Sequence, residues 1–183
     1  MSMSKPSFKD LKIINVIQGD YSVSSHEKVV LTTILGSCVA ACLYDPIAKI
    51  GGMNHFLLPG ERVPGSASQS YGLNAMELLI NTMLKRGAER HRFQAKLFGG
   101  GRMMQSFSDI GQRNAAFATE FLKVEGIPCV SESLGGDSAR RVRFWPATGK
   151  AQMRILTDSV DTVRVPKKPV LVKPDVVSDV ELF

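Results

Sequence analysis

The sequence predicts a layered α+β domain in which antiparallel sheet is flanked by two main helices. Three observations predict it. Short apolar or β-branched runs outnumber helical ones, they follow one another instead of alternating strictly with helices, and two longer segments carry a helical period. The hydrophobic fraction of 44% and charged fraction of 22% suit a folded chain, and 183 residues are enough to bury one substantial core.

Taken in order, residues 11–17 (LKIINVI), 27–34 (EKVVLTTI), 38–44 (CVAACLY) and 50–58 (IGGMNHFLL) read as strands separated by Gly, Pro, Asp and Ser. Asp45-Pro46 followed by Gly51-Gly52 marks a hairpin-like return. Residues 66–70 (SASQS), behind Pro64-Gly65, read as a flexible loop. From Leu73 the spacing becomes helical: Leu73, Met76, Leu79, Ile80, Met83 and Leu84 share a side and Gly87 closes the segment. Residues 93–98 form a strand that runs into Gly99-Gly100-Gly101. A second helix follows, with Ile110, Asn114, Phe117, Phe121 and Leu122 on one side and Gly126 as its stop. Strands over 127–133, 140–145 and 151–156 complete the core. The expected organisation is therefore a flexible N-terminus (1–10), one domain (11–156) and a poorly ordered tail (157–183) that mixes Pro, Val and charges without a period.

Composition narrows the function classes. No apolar run approaches the roughly 20 residues of a membrane-spanning helix, and MSMSKPSFKDLK lacks the apolar stretch of a signal peptide, so the cytoplasm is the expected compartment. Three cysteines, Cys38, Cys42 and Cys129, are too few for a disulfide framework and leave a thiol free. A net charge of +6, with local groups at Arg86-Arg90-Arg92 and Arg140-Arg141-Arg143, favours acidic partners in general. The chain lacks the aromatic-basic signature of nucleic-acid binding.

The chemistry-bearing candidates are Cys38 and, seventeen residues on, His55. A thiol whose ordinary pKa is about 8.5 needs a base to become a nucleophile at neutral pH, and an imidazole aligned by a third polar group supplies one. Thr32 and Thr33, in the strand that feeds Cys38, are the candidates for that third group. Thr32 is favoured by its even offset of six residues, although Gly36 interrupts the count. Gly36-Ser37 lets the backbone turn sharply before the thiol, exposing it and aiming the Cys38 N–H where an oxyanion would form.

Each candidate has a bland alternative. Isolated cysteines are usually core residues, which is also the reading for Cys42 and Cys129. His26 and His91 lie in polar surroundings and read as solvent-facing. A Cys38-Cys42-His55 zinc site lacks a fourth ligand and any CxxC pattern. The triple glycine lacks the ending of a phosphate loop and reads as a close backbone approach. Arg141 and Arg143, alternating with Val142 and Phe144, read as the solvated face of a strand.

The run LGSCVAACLYDPIAKIGGMNHFLLP (35–59), followed in order by KLFGGG, IGQRN, EGIP, LGG and RRVRF with Thr148-Gly149, resembles the CheD family of bacterial chemotaxis proteins, the chemoreceptor glutamine deamidases. The resemblance spans roughly residues 10–156. It implies a Cys-His-Thr triad mapping to Cys38, His55 and Thr32, beside the oxyanion support that the residues themselves assign to Gly36 and Ser37. It also implies a β-sandwich-like core with helices outside, related to the deamidating domain of cytotoxic necrotizing factor toxins. The implied reaction turns receptor glutamine into glutamate through a cysteine thioester, without metal or organic cofactor, and the same acyl-enzyme would form from a glutamyl methyl ester. The implied partners are chemoreceptors and a CheC-type phosphatase; composition, for its part, leaves no expectation of nucleic-acid binding or membrane insertion.

Overall fold

The structure, a computed structural model, describes residues 10–58, 67–103 and 108–156. Among them nine strands form two sheets. The strands are β1 (Lys12–Asn15), β2 (Tyr21–Ser24), β3 (Val29–Leu35), β4 (Val39–Asp45), β5 (Ile50–Asn54), β6 (Gln94–Gly99), β7 (Cys129–Leu134), β8 (Arg140–Trp145) and β9 (Lys150–Ile155). Two helices, α1 (Ala67–Lys85) and α2 (Ser108–Val124), and a short 3₁₀ turn, Arg90–Arg92, complete the inventory. One sheet has the order β1-β3-β8-β9, the other β2-β5-β4-β6-β7.

Two apolar layers hold these parts together, and β4 belongs to both. Strand side chains alternate between faces. Val39, Ala41 and Leu43 therefore point to a core shared with Met76, Leu79, Ile80 and Met83 of α1 and Ala118, Phe121 and Leu122 of α2. Ala40 and Cys42 point the other way, into a core shared with Leu31 and Leu35 of β3 and Val142 and Phe144 of β8. The order is thus sheet, sheet, helices. Leu31, Leu43, Leu79 and Phe56 are fully buried, each worth about 1.5–3 kcal/mol in transfer from water. The layered α+β architecture with two main helices is as expected, and both helices pack on the five-stranded sheet.

Several expectations are corrected. The sheets are mixed: β1 pairs with β3 and β6 with β7 in parallel. The second parallel pair arises because α2 carries the chain from β6 back to the start of its neighbour, a crossover that a hairpin cannot make. Strand β2 was not expected, since its four residues are mostly polar; it is an edge strand with Val23 alone buried. The loop expected over 66–70 is, from Ala67 on, the first turn of α1. Cys129, expected in the core, is exposed on edge strand β7. The N-terminal expectation, except for Asp10, and the expectation for the tail fall outside the described residues.

The charged group at Arg86, Arg90 and Arg92 is spent inside the molecule. Arg86 donates to the Val23 carbonyl at 2.7 Å, Arg90 pairs with Glu125, and Arg92 pairs with the buried Asp45 at 2.8 Å. Arg140 is likewise buried, capping the Ser133 and Gly135 carbonyls, while Arg141 and Arg143 take the outer side of β8.

Candidate active site

Cys38 sits in the turn between β3 and β4, and two neighbouring segments fix that turn. The Gly100 N–H donates to the Cys38 carbonyl and the Gly101 N–H to the Gly36 carbonyl, each at 2.8 Å. Asn114, fully buried on α2, donates from Nδ2 to the Ser37 carbonyl at 2.8 Å. The triple glycine is thus the close approach expected of it. A Cβ on Gly99, whose φ is 112°, would lie 2.0 Å from the Cys38 carbonyl oxygen. Glycine is the residue that meets both that conformation and that clearance.

His55 reaches the same place from the end of β5. The bridge Val39↔Phe56 sets the register: both N–H groups are exchanged, at 3.0 and 2.9 Å, and both side chains enter the helix-side core. Their chain neighbours Cys38 and His55 therefore face the opposite way, towards the other sheet. Cys38 packs against that inter-sheet core and His55 reaches Thr33 of β3 across it. In this register Ala40 lies opposite His55, so Cys38 is its diagonal neighbour on one face, a relation that puts Cβ atoms roughly 7–8 Å apart or somewhat less. Asn114 ties this segment in as well, its Oδ1 accepting from the Leu58 N–H at 2.9 Å.

The group that holds the imidazole is Thr33. Its Oγ1 lies 2.9 Å from His55 Nδ1 and donates to the Val16 carbonyl at 2.8 Å. Val16's carbonyl is also 3.2 Å from Nδ1. A hydroxyl has one proton and a carbonyl has none, so with the Thr33 proton on Val16 the tautomer that satisfies both Nδ1 contacts carries its hydrogen on Nδ1. Nε2 is left with its lone pair, buried and without a hydrogen-bond partner. Thr32 is elsewhere: its hydroxyl donates to the Val142 carbonyl at 2.9 Å. The structure brings Thr33, not Thr32, to the histidine, because Gly36-Ser37 breaks β3 from β4 and the even-offset count does not survive the break.

Electrostatics keep the pair neutral at rest. Burial pushes the Cys38 thiol up, with its own backbone N–H opposing, and pushes the His55 imidazole down, with the Val16 carbonyl opposing. Both shifts follow from the cost of charge in a poorly solvated place. The thiol donates to Gln18 Oε1 at 3.4 Å. Gln18, which no sequence motif singled out, thus lies beside the Cys38 thiol. Cys42 is fully buried four residues on and its thiol is pushed up by burial; His26 and His91 are exposed. No group of three metal-ligating side chains occurs among the described residues, and none of their helices is long and apolar enough to cross a membrane.

Such an arrangement can take a thiol proton on a preoriented neutral imidazole, attack a carbonyl-type carbon and return the proton to a leaving group.

Known proteins bear on the same chain. A family model described as CheD chemotactic sensory transduction matches residues 57–155. A protein of Agrobacterium fabrum named probable chemoreceptor glutamine deamidase CheD is 51% identical over 175 residues, covering 94% of this chain and 97% of its own. One of the same name from Caulobacter sp. is 53% identical over 173 residues, covering 93% and 92%. Among solved structures, a Neisseria meningitidis protein of the family DUF152 aligns at TM-score 0.42 and 15% identity over 70% of this chain and 64% of its own, a likeness too slight to bear on function. At half identity over nearly their whole lengths, the relatives leave one conclusion: the chain belongs to the CheD family.

Proposed function

We propose that this protein hydrolyses side-chain amides of chemoreceptor glutamines to glutamate, with Cys38 as nucleophile, His55 as general base and acid, and Thr33 as the residue that orients the imidazole. The observation that carries the reading is the Thr33–His55 contact at 2.9 Å. It leaves Nε2 basic, on the sheet face that Cys38 shares. The names of the relatives support the substrate.

The reaction runs in two halves. A rotation of the Cys38 side chain away from Gln18 brings the sulfur to Nε2, which takes its proton as sulfur bonds to the glutamine Cδ. The carbonyl electrons move to oxygen, beside the Cys38 backbone N–H. Collapse of that oxyanion expels ammonia, to which His55 returns the proton. Water then gives a proton to Nε2 and its hydroxide half to the thioester carbon. The carbon–sulfur bond breaks, leaving glutamate, and the proton returns to Cys38. The acyl half is the same for a glutamyl methyl ester, with methanol in place of ammonia.

The decisive experiment is mass spectrometry of receptor peptides incubated with wild type and with Cys38→Ala. Loss of amide-to-acid conversion with receptor binding retained is expected; unchanged conversion would remove Cys38 from the mechanism. Docking to a CheC-type phosphatase belongs to the same proposal and rests on the family resemblance. Co-purification with Cys38→Ala tests it, because docking does not need the thiol.

A further inference from the structure

Gln18 lies on a turn built to present it. In Ile17-Gln18-Gly19-Asp20 the Asp20 N–H donates to the Ile17 carbonyl at 3.0 Å, and Gly19 has φ of 91°. That left-handed residue at the third position is what a type II turn requires, which places Gln18 at the second. The turn is bolted to the histidine. The Gly19 N–H donates to the His55 carbonyl at 2.7 Å and the His55 N–H to the Asp20 carbonyl at 3.0 Å, while Val16, just upstream, holds the ring side. One short segment therefore fixes His55 and carries a carboxamide to the Cys38 sulfur, at 3.4 Å.

What that carboxamide offers depends on the state of the site. A thiol has a proton to give, so the amide presents oxygen. A thiolate, or the oxyanion that follows attack, can only accept. The terminal torsion of glutamine is broad and roughly two-fold, so a half-turn presents the Nε2 hydrogens instead. The Cys38 backbone N–H, next to the sulfur in the same residue, is one donor to the developing charge; a second beside it would complete a two-point oxyanion site.

We propose that Gln18 is a catalytic residue, its side-chain amide accepting from the Cys38 thiol at rest and, turned over, donating to the oxyanion together with the Cys38 N–H. The inference rests on the cysteine-hydrolase reading above and adds a residue to it.

The test compares Gln18→Ala and Gln18→Glu with wild type in ammonia release from a purified chemoreceptor cytoplasmic fragment, alongside Cys38→Ala. Loss of an oxyanion donor lowers kcat by about 10²–10³-fold, with KM little changed and thermal unfolding unaltered. Gln18→Glu keeps the shape and the acceptor but brings negative charge to the oxyanion, so it loses more than Gln18→Ala. A residue that merely packed would give the reverse order. Wild-type kcat in Gln18→Ala, or a milder effect of Gln18→Glu, overturns the proposal while leaving the mechanism intact if Cys38→Ala is dead. Activity in Cys38→Ala would sink the mechanism itself. Peptide mapping of aged wild-type protein is expected to show an intact amide at position 18; glutamate there would make Gln18 a self-substrate and overturn the donor role.

Discussion

Thr33 does for His55 what no charged group in the site does: it holds the ring and, through the Val16 carbonyl, selects its tautomer. Thr33→Val keeps the shape and removes the hydroxyl, so kcat is expected to fall by roughly 10²-fold. Thr32→Val, which severs only the bond to Val142, is expected to leave kcat near wild type and cost about 1 kcal/mol of stability. Steady-state kinetics with denaturant melts of both variants separates the two hydroxyls. The pH profile follows from the same ring. Because burial lowers the His55 pKa, the neutral base persists as pH falls, and the acid limb of kcat/KM should lie below the ordinary histidine value of about 6.5. The unfolded chain binds a proton that the folded one resists in that window. Stability is therefore full above the ordinary value and declines as pH falls through the lowered one. An acid limb at or above the ordinary value would mean that another group limits the rate.

At the scale of elements, the site is an agreement among the β3–β4 turn, the end of β5, the Gly99-Gly100-Gly101 segment and α2. Asn114 is the joint. One amide satisfies the Ser37 carbonyl before Cys38 and the Leu58 N–H beyond His55. Asn114→Leu fills similar space and strands both groups, each at about 1–3 kcal/mol. We expect a lower unfolding midpoint and, in the protein that remains folded, reduced kcat, because the turn loses its hold on Cys38. A stability loss with wild-type kcat would show that the triple glycine suffices to place the thiol.

Across the whole molecule, the proposed nucleophile and a buried ion pair lie at opposite ends of β4. Cys38 precedes the strand and Asp45 ends it, fully buried. Asp45 accepts from the Ile47, Ala48 and Glu89 N–H groups and takes a two-point contact from Arg92. Burial opposes its ionisation, but Arg92 and those N–H groups prevail and hold the carboxyl well below the usual carboxylate range. Asp45→Ala leaves a guanidinium and several N–H groups without their acceptor and should cost about 3–5 kcal/mol, with kcat per folded molecule unchanged. The wild-type contribution is present above the ordinary aspartate pKa and fades as pH falls below it; acid titration of the two proteins should converge.

Much of this was legible in one dimension. Both helices and eight of the nine strands follow from periodicity and turn residues, because those signals are local; Cys38 and His55 stood out by residue type, and the family resemblance, not their spacing, singled them out as a pair. Thr33 was nearly legible: Leu31 and Leu35 flank it at two-residue spacing, so alternation within β3 alone puts it on the buried face. Counting through Gly36 hid this. Gln18, Asn114 and β2 were not legible, since a polar residue in a turn or on a helix declares its partner only when distant segments meet. The sequence by itself determined the elements and the reactive residue types, through the short-range sterics and alternation that every strand and helix obeys. Tertiary structure alone decided which threonine meets the histidine and which amide meets the thiol. A hydrogen bond between residues far apart in the chain depends on register, crossover and layer order, which no local pattern encodes.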